Sequence, residues 1–167
     1  MRLHGTLQIF TYKEGLLSRI AHDLRFVLPG SVLNQTSDEV TGRFKLSHIQ
    51  LEGALIQGKI SPKLLTEKDR RKILKNLHEK ILQSARHPFA EVNGRLNGER
   101  FEGHLGLRNQ KAQIICPIQI TTQGFEGQLE IQPSHWGIAP FKALFGAIQL
   151  QDRIGVAFQF TRADTSH

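Results

Sequence analysis

Apolar and polar residues alternate with a period of two through nearly the whole chain, and one stretch of helical periodicity interrupts them near the middle. Many short antiparallel strands, each with one apolar face, close most readily into a barrel or a sandwich. The alternation predicts a first strand over residues 4–13, around Leu7 and Ile9. Leu24, Phe26 and Leu28 repeat it up to Pro29-Gly30, which reads as the end of that strand. Val40, Gly42, Phe44 and Leu46 follow, then Leu51 and Leu55. Beyond the helix, strands are predicted around residues 89–96, 101–107, 114–120, 125–131 and 154–160. Asn97-Gly98, Arg108-Asn109 and Gln123-Gly124 supply turns between them. The expectation is a mainly β protein of about eight antiparallel strands, closed into a barrel or packed as a sandwich. Pro117, with no N–H for a ladder, reads as an edge or bulge residue.

Thr66-Glu67-Lys68-Asp69 has the form of a capping box, with Thr66 as N-cap and Asp69 reaching back from the third helical position. Ile73, Leu74, Leu77, Ile81, Leu82 and Ala85 then make one apolar stripe, and Pro88 closes the segment. A second, shorter helix is predicted over Pro140–Ile148, with Phe141, Leu144, Phe145 and Ile148 on one face.

At 167 residues, a single domain over 1–167 is expected, long enough to bury a core without cross-links. One cysteine, Cys116, excludes an internal disulfide. No stretch is long enough to span a bilayer and Met1–Thr6 has no apolar run, so the expectation is a soluble, cytoplasmic protein. Lys and Arg number 22 against 15 Asp and Glu, a net charge of +7. Lys63, Lys68, Arg70, Arg71, Lys72, Lys75 and Lys80 place much of that excess in the helix region 61–82. Such a run is either a solvated helix face or a contact surface for an anionic partner.

Catalytic and metal chemistry is not declared by the residues. There are eight histidines but no HxH, HxxxH or HExxH spacing, so no metal or other cofactor is expected. His78 borders the apolar stripe and reads as a satisfied, partly buried histidine. No serine stands in a GxSxG elbow, and no glycines form a P-loop or dinucleotide fingerprint. Cys116 lies among Ile114, Ile115 and Ile118, an apolar setting that raises a thiol pKa and makes it inert.

Ten Phe stand against one Tyr and one Trp. Phenylalanine brings apolar surface without a polar handle, so these rings either pack a core or line a tunnel for a hydrocarbon chain. Gly42, Gly103 and Gly127, in phase with inward residues, would leave room for such a chain.

Several segments recur in a recognisable order: His22-Asp23-Leu24-Arg25, Gly42-Arg43-Phe44, Asp69-Arg70, His87-Pro88-Phe89 and Phe101-Glu102-Gly103-His104-Leu105. Cys116-Pro117-Ile118, Ser134-His135-Trp136-Gly137-Ile138 and Asp152-Arg153-Ile154-Gly155-Val156 complete the series. By these segments the chain resembles the YceI-like family over essentially its whole length. The resemblance implies a closed antiparallel lipocalin-like barrel of about eight strands with a helix inserted between them, and a carrier of polyisoprenoids or other long amphiphiles. One turn departs from the family pattern: Leu105–Lys111 lacks the usual His-Gly, so no headgroup role carries over to it.

The leading expectation is therefore an isoprenoid or fatty-acyl chain bound inside the barrel. Its candidate wall is Phe26, Phe44, Phe89, Phe101, Leu105, Ile118, Leu129 and Phe158. Trp136 with Phe141, Leu144 and Phe145 would cap or gate it, and His22, Arg25, Arg43 and Arg153 would meet a polar or phosphorylated head. The alternatives are a filled barrel acting as an interaction or structural protein, and binding of nucleic acid or an anionic surface through helix 61–82. Nucleic acid is disfavoured because the aromatics follow the apolar phases and do not interleave with the charges. Transient membrane-surface contact and an oligomer remain open, and no enzyme activity is expected.

Overall fold

The computed structural model describes residues 1–15, 22–143 and 148–163. Its strands in chain order are β1 (Arg2–Lys13), β2 (Asp23–Thr36), β3 (Glu39–Lys45), β4 (Gln50–Ile56) and β5 (Lys59–Ser61). After a helix, α1 (Glu67–Asn76), come β6 (Phe89–Leu96), β7 (Arg100–Leu107), β8 (Gln110–Ile120), β9 (Gly124–Ile131), β10 (Lys142–Ala143) and β11 (Ile148–Arg162). Neighbours run β1-β11-β9-β8-β7-β6-β3-β2, and β1 pairs with β2 to close the ring. The result is an eight-stranded antiparallel barrel, one of the two closures the alternation allows and the one the resemblance implies. The β4–β5 hairpin hangs from β2 outside that ring.

One end of the barrel is turned by short connections between β2 and β3, β6 and β7, and β8 and β9. Near it Phe125, Phe158 and Phe160 stack as a cluster, with ring centroids 6.1–6.3 Å apart. The in-phase glycines do not open space there. A Cβ on Gly42 would meet Leu33 at 2.4 Å, one on Gly103 would meet Phe101 at 2.8 Å, and one on Gly127 would meet Phe158 at 2.7 Å. Neighbouring apolar side chains already lie over these glycines, so their bare backbone is a bed for rings and not a void.

The opposite end carries the longer connections. Thr66 caps α1 as expected: its Oγ1 accepts from the Asp69 amide at 3.1 Å, while Asp69 Oδ2 accepts from the Thr66 amide at 2.9 Å. The helix is shorter than its stripe. At Leu77–Ile81 it widens into a π-turn, with the Leu82 amide donating to the Leu77 carbonyl at 2.8 Å. Gln83 then takes a left-handed conformation (φ 49°) that stops the helix, leaving Ala85 exposed. His78 Nδ1 pairs with Ser84 Oγ at 2.9 Å, which satisfies this histidine as its place beside the stripe predicts.

Two of three local expectations need correction. Pro29-Gly30 does not end β2: the strand runs on to Thr36, and a register shift against β1 between Gly5 and Leu7 absorbs the kink. There β2 exchanges its second neighbour, pairing with β4 over Asp23–Val27 and with β3 over Leu33–Thr36. Pro117 fits its expectation, since on the β9 side of β8 it has no ladder partner among the described residues. It pairs with Arg100 of β7, and the β8–β9 ladder, which spans only Ile118–Ile120 against Phe125–Gly127, stops beside it. Finally, the helix predicted over Pro140–Ile148 is displaced, since Lys142-Ala143 is extended and pairs with Gln149 and Ile148. Among the described residues, the helical turn in this half is a 3₁₀ turn at Pro133–Trp136. Leu144 and Phe145 lie outside the described residues. Among the described residues no helix is long and apolar enough to cross a membrane.

Candidate functional site

Inward side chains from all eight barrel strands line a cavity of about 260 Å³. Leu77, Ile81 and Leu82 from the π-turn, with Pro133 and Ile138–Phe141, contribute to its wall at the end carrying the long connections. The π-turn matters here, because one extra residue in the turn brings both Ile81 and Leu82 onto the face that Leu77 presents to the barrel. The wall is almost wholly hydrocarbon. Its polar side chains, among the described residues, are Thr11 and Gln151, and it holds no Lys, Arg, His, Asp or Glu. Gln151 is engaged, its Nε2 donating to the Lys13 carbonyl at 2.9 Å. Thr11 Oγ1 is buried with no hydrogen-bond partner.

Phe26, Phe44, Phe101, Leu105, Ile118, Leu129, Phe141 and Phe158 all stand on this wall. Phe89 does not. In β6 the inward residues are Ala90 and Val92, so Phe89 shares the outer face with Glu91, and the Arg43 guanidinium lies 3.8 Å from its ring centroid. Trp136 is fully buried but off the wall: its indole Nε1 donates to the Leu105 carbonyl at 2.7 Å, and its 3₁₀ turn packs on β8 and β11. Cys116 is on the wall too. Burial pushes its thiol up to about 11, and the sulfur lies 3.2 Å from the Pro117 and Gln128 carbonyls, so no nucleophile is prepared there.

No protein-family model and no curated protein matches the chain. Solved structures do. BcnA from Burkholderia cenocepacia superposes with a TM-score of 0.62 at 10% identity, over 95% of this chain and 96% of that one. A polyisoprenoid binding domain from Saccharophagus degradans, implicated in plant cell wall breakdown, gives 0.61 at 11% identity, over 95% of both chains. Both share the fold of this chain, the barrel that its resemblance to the YceI-like family implies.

On this YceI-like barrel the cations chosen for a ligand head face outward and are engaged. Arg25 pairs with Glu52 at 2.9 Å. Arg43 lies over Phe89 and pairs with Glu91 at 3.4 Å. Arg153 lies 3.9 Å over Tyr12 and pairs with Glu130 at 3.4 Å. His22 directly precedes β2, half-buried and off the cavity wall. In the basic helix, Arg70 turns in and Nη2 donates to the Leu51 and Glu52 carbonyls at 2.6 and 3.3 Å, clamping α1 to β4. The turn that departs from the family pattern serves the architecture, since Arg108 Nη1 donates to the Ile81 carbonyl at 3.1 Å and ties the π-turn to the barrel.

Sequence reasoning misses Thr11, Leu33, the π-turn leucines and Gln151 as wall residues. Thr11 is legible in principle, since it keeps the odd-numbered inward phase of Leu7 and Ile9. Leu33 depends on a strand continuing past Pro29-Gly30 and the leucines on a helix gaining a residue per turn, which period-counting does not register; Gln151 lies in β11 ahead of residue 154, where the alternation begins the last strand.

Proposed function

We propose that this protein binds a long apolar chain, polyisoprenoid or fatty acyl, inside the barrel and works as a carrier or sequestering protein. The observation that carries the reading is the cavity itself: about 260 Å³ lined by hydrocarbon side chains inside the barrel. Well-packed interiors hold few voids larger than a water molecule, so a space of this size needs an occupant or a reason. Each methylene buried contributes about 0.8 kcal/mol, enough for a chain of several carbons to bind without polar contacts. The volume falls just under the roughly 300 Å³ at which small-ligand pockets begin, which favours a slender chain over a bulky ring system. The polyisoprenoid binding domain from Saccharophagus degradans, which has this fold, supports the choice of chain.

Native mass spectrometry of the purified protein, then organic extraction and lipid analysis, tests the reading. The expected result is a stoichiometric hydrocarbon-chain ligand, or uptake of added prenyl or acyl probes by protein purified empty. Val156→Phe, which fills part of the cavity from β11, should weaken probe binding about ten-fold or more while the protein stays folded by circular dichroism. An empty barrel that refuses every probe would return the filled-barrel alternative.

A further inference from the structure

The positive charge of this protein is concentrated in one place. Residues 59–86 hold nine Lys and Arg against three acids, so this segment carries six of the seven net charges and the rest of the chain is close to neutral. On the barrel strands Arg25, Arg43, Arg95, Arg100 and Arg153 each meet a carboxylate, whereas no ion pair among the described residues uses a cation of 59–86. Within α1, Lys68, Arg71, Lys72 and Lys75 follow the i, i+3, i+4, i+7 spacing of one helix face and are exposed. Arg70, Ile73 and Leu74, on the opposite face, are half-buried. Like charges at these spacings repel and weaken a helix, so the fold gains nothing from the row.

We infer that this end of the molecule docks on an anionic phospholipid surface through the exposed face of α1. The inference goes beyond the chain-binding reading and does not depend on it. Three observations favour lipid over nucleic acid. The helix runs straight into Leu77, Ile81 and Leu82 on the cavity wall, so a bilayer held by its outer face lies beside the end of a hydrocarbon-lined space. The β4–β5 hairpin reaches past the start of β2 at the same end, since Leu55 pairs with Asp23, and at its tip Ile56 is exposed beside Lys59. An apolar side chain among cations suits a lipid interface. Finally, six of the eight exposed cations in 59–86 are lysines. Lysine is a hydrated point charge that suits a diffuse negative surface, whereas the arginine fork suits bidentate phosphate contacts.

The test is co-sedimentation of the whole protein with vesicles of phosphatidylcholine alone and of phosphatidylcholine mixed with phosphatidylglycerol, at low and at physiological salt. Binding to a random-sequence DNA duplex is measured beside it. Wild type should bind the phosphatidylglycerol vesicles only, and less as salt rises. Each Lys or Arg near an anionic leaflet strengthens binding about five-fold, so Lys72→Glu with Lys75→Glu should weaken it by more than about ten-fold. Lys72→Gln with Lys75→Gln, which removes the charges without reversing them, should give a smaller loss. Arg2→Glu with Arg162→Glu makes the same change in net charge at exposed positions on the opposite end of the barrel and should leave vesicle binding nearly unchanged. Circular dichroism should show all three variants folded. Failure to bind the phosphatidylglycerol vesicles, an equal loss in the two charge-reversed variants, or tighter binding to the duplex than to the vesicles would overturn the inference. Each of these results leaves the chain-binding reading intact, since ligand extraction judges that reading separately.

Discussion

Cys116 shows how a single wall residue reports on the whole interior. Its thiol is pushed from the ordinary value of 9.0 to about 11 by burial. Between those values the unfolded chain gives up its proton while the folded chain keeps it, so the unfolded state binds fewer protons and stability falls as pH rises. The contribution is complete below pH 9 and is lost progressively toward pH 11, a change of about 2 kcal/mol in chemical denaturation. Cys116→Ala should remove that alkaline limb, and the wild-type thiol should resist alkylation at pH 8. Single residues are also where the sequence reads best and worst. Phe26, Phe44, Phe101 and their companions on the wall follow from simple alternation, but Phe89 falls on the wrong face when hydrophobicity alone chooses the phase. A one-residue slip inverts every side chain of a strand, and the small Ala90 and Val92 define the true phase of β6. The glycines mislead for the same reason: an absent side chain looks like space until a neighbouring ring is found lying over it.

At the scale of elements, the inserted helix is the most legible part, since caps and stripes are local chemistry. Its capping box leads to a prediction. Hydrogen bonds from Thr66 hold the Asp69 carboxyl below its ordinary range. A lowered folded-state value means the contribution is present above the usual carboxylate range and disappears as pH falls through the folded value. Thr66→Ala should cost about 1 kcal/mol at neutral pH, and that penalty should shrink in acid as Asp69 protonates; Asp69→Asn should flatten the acid side of a melting-temperature profile. The elements that sequence misplaces fail for non-local reasons. Pro29-Gly30 is a strong stop signal, but a strand held by β1 on one side and by β4, then β3, on the other survives it. The stretch after Pro140 has the spacing of an amphipathic helix, yet pairing with the start of β11 wins at Lys142-Ala143.

For the molecule as a whole, closure of the ring is foreseeable from strand number and alternation, whereas the degree of filling is not, because cavity volume depends on how rings from several strands meet. The same is true of the unequal joint between β8 and β9. Beyond Gly127, β9 has no strand partner on its β8 side among the described residues, and the 3₁₀ turn carrying Trp136 packs against β8 and β11 instead. Trp136→Phe removes the bond to the Leu105 carbonyl and should cost about 1–3 kcal/mol. Amide exchange should rise first in Gln128–Ile131. A barrel ordinarily escapes the hazard of self-association because it has no free strand edge. Here β9 keeps a short length of edge, Gln128–Ile131, directly before the 3₁₀ turn that carries Trp136, so solubility at high concentration should depend on the anchoring of that turn more than on the charge of the surface.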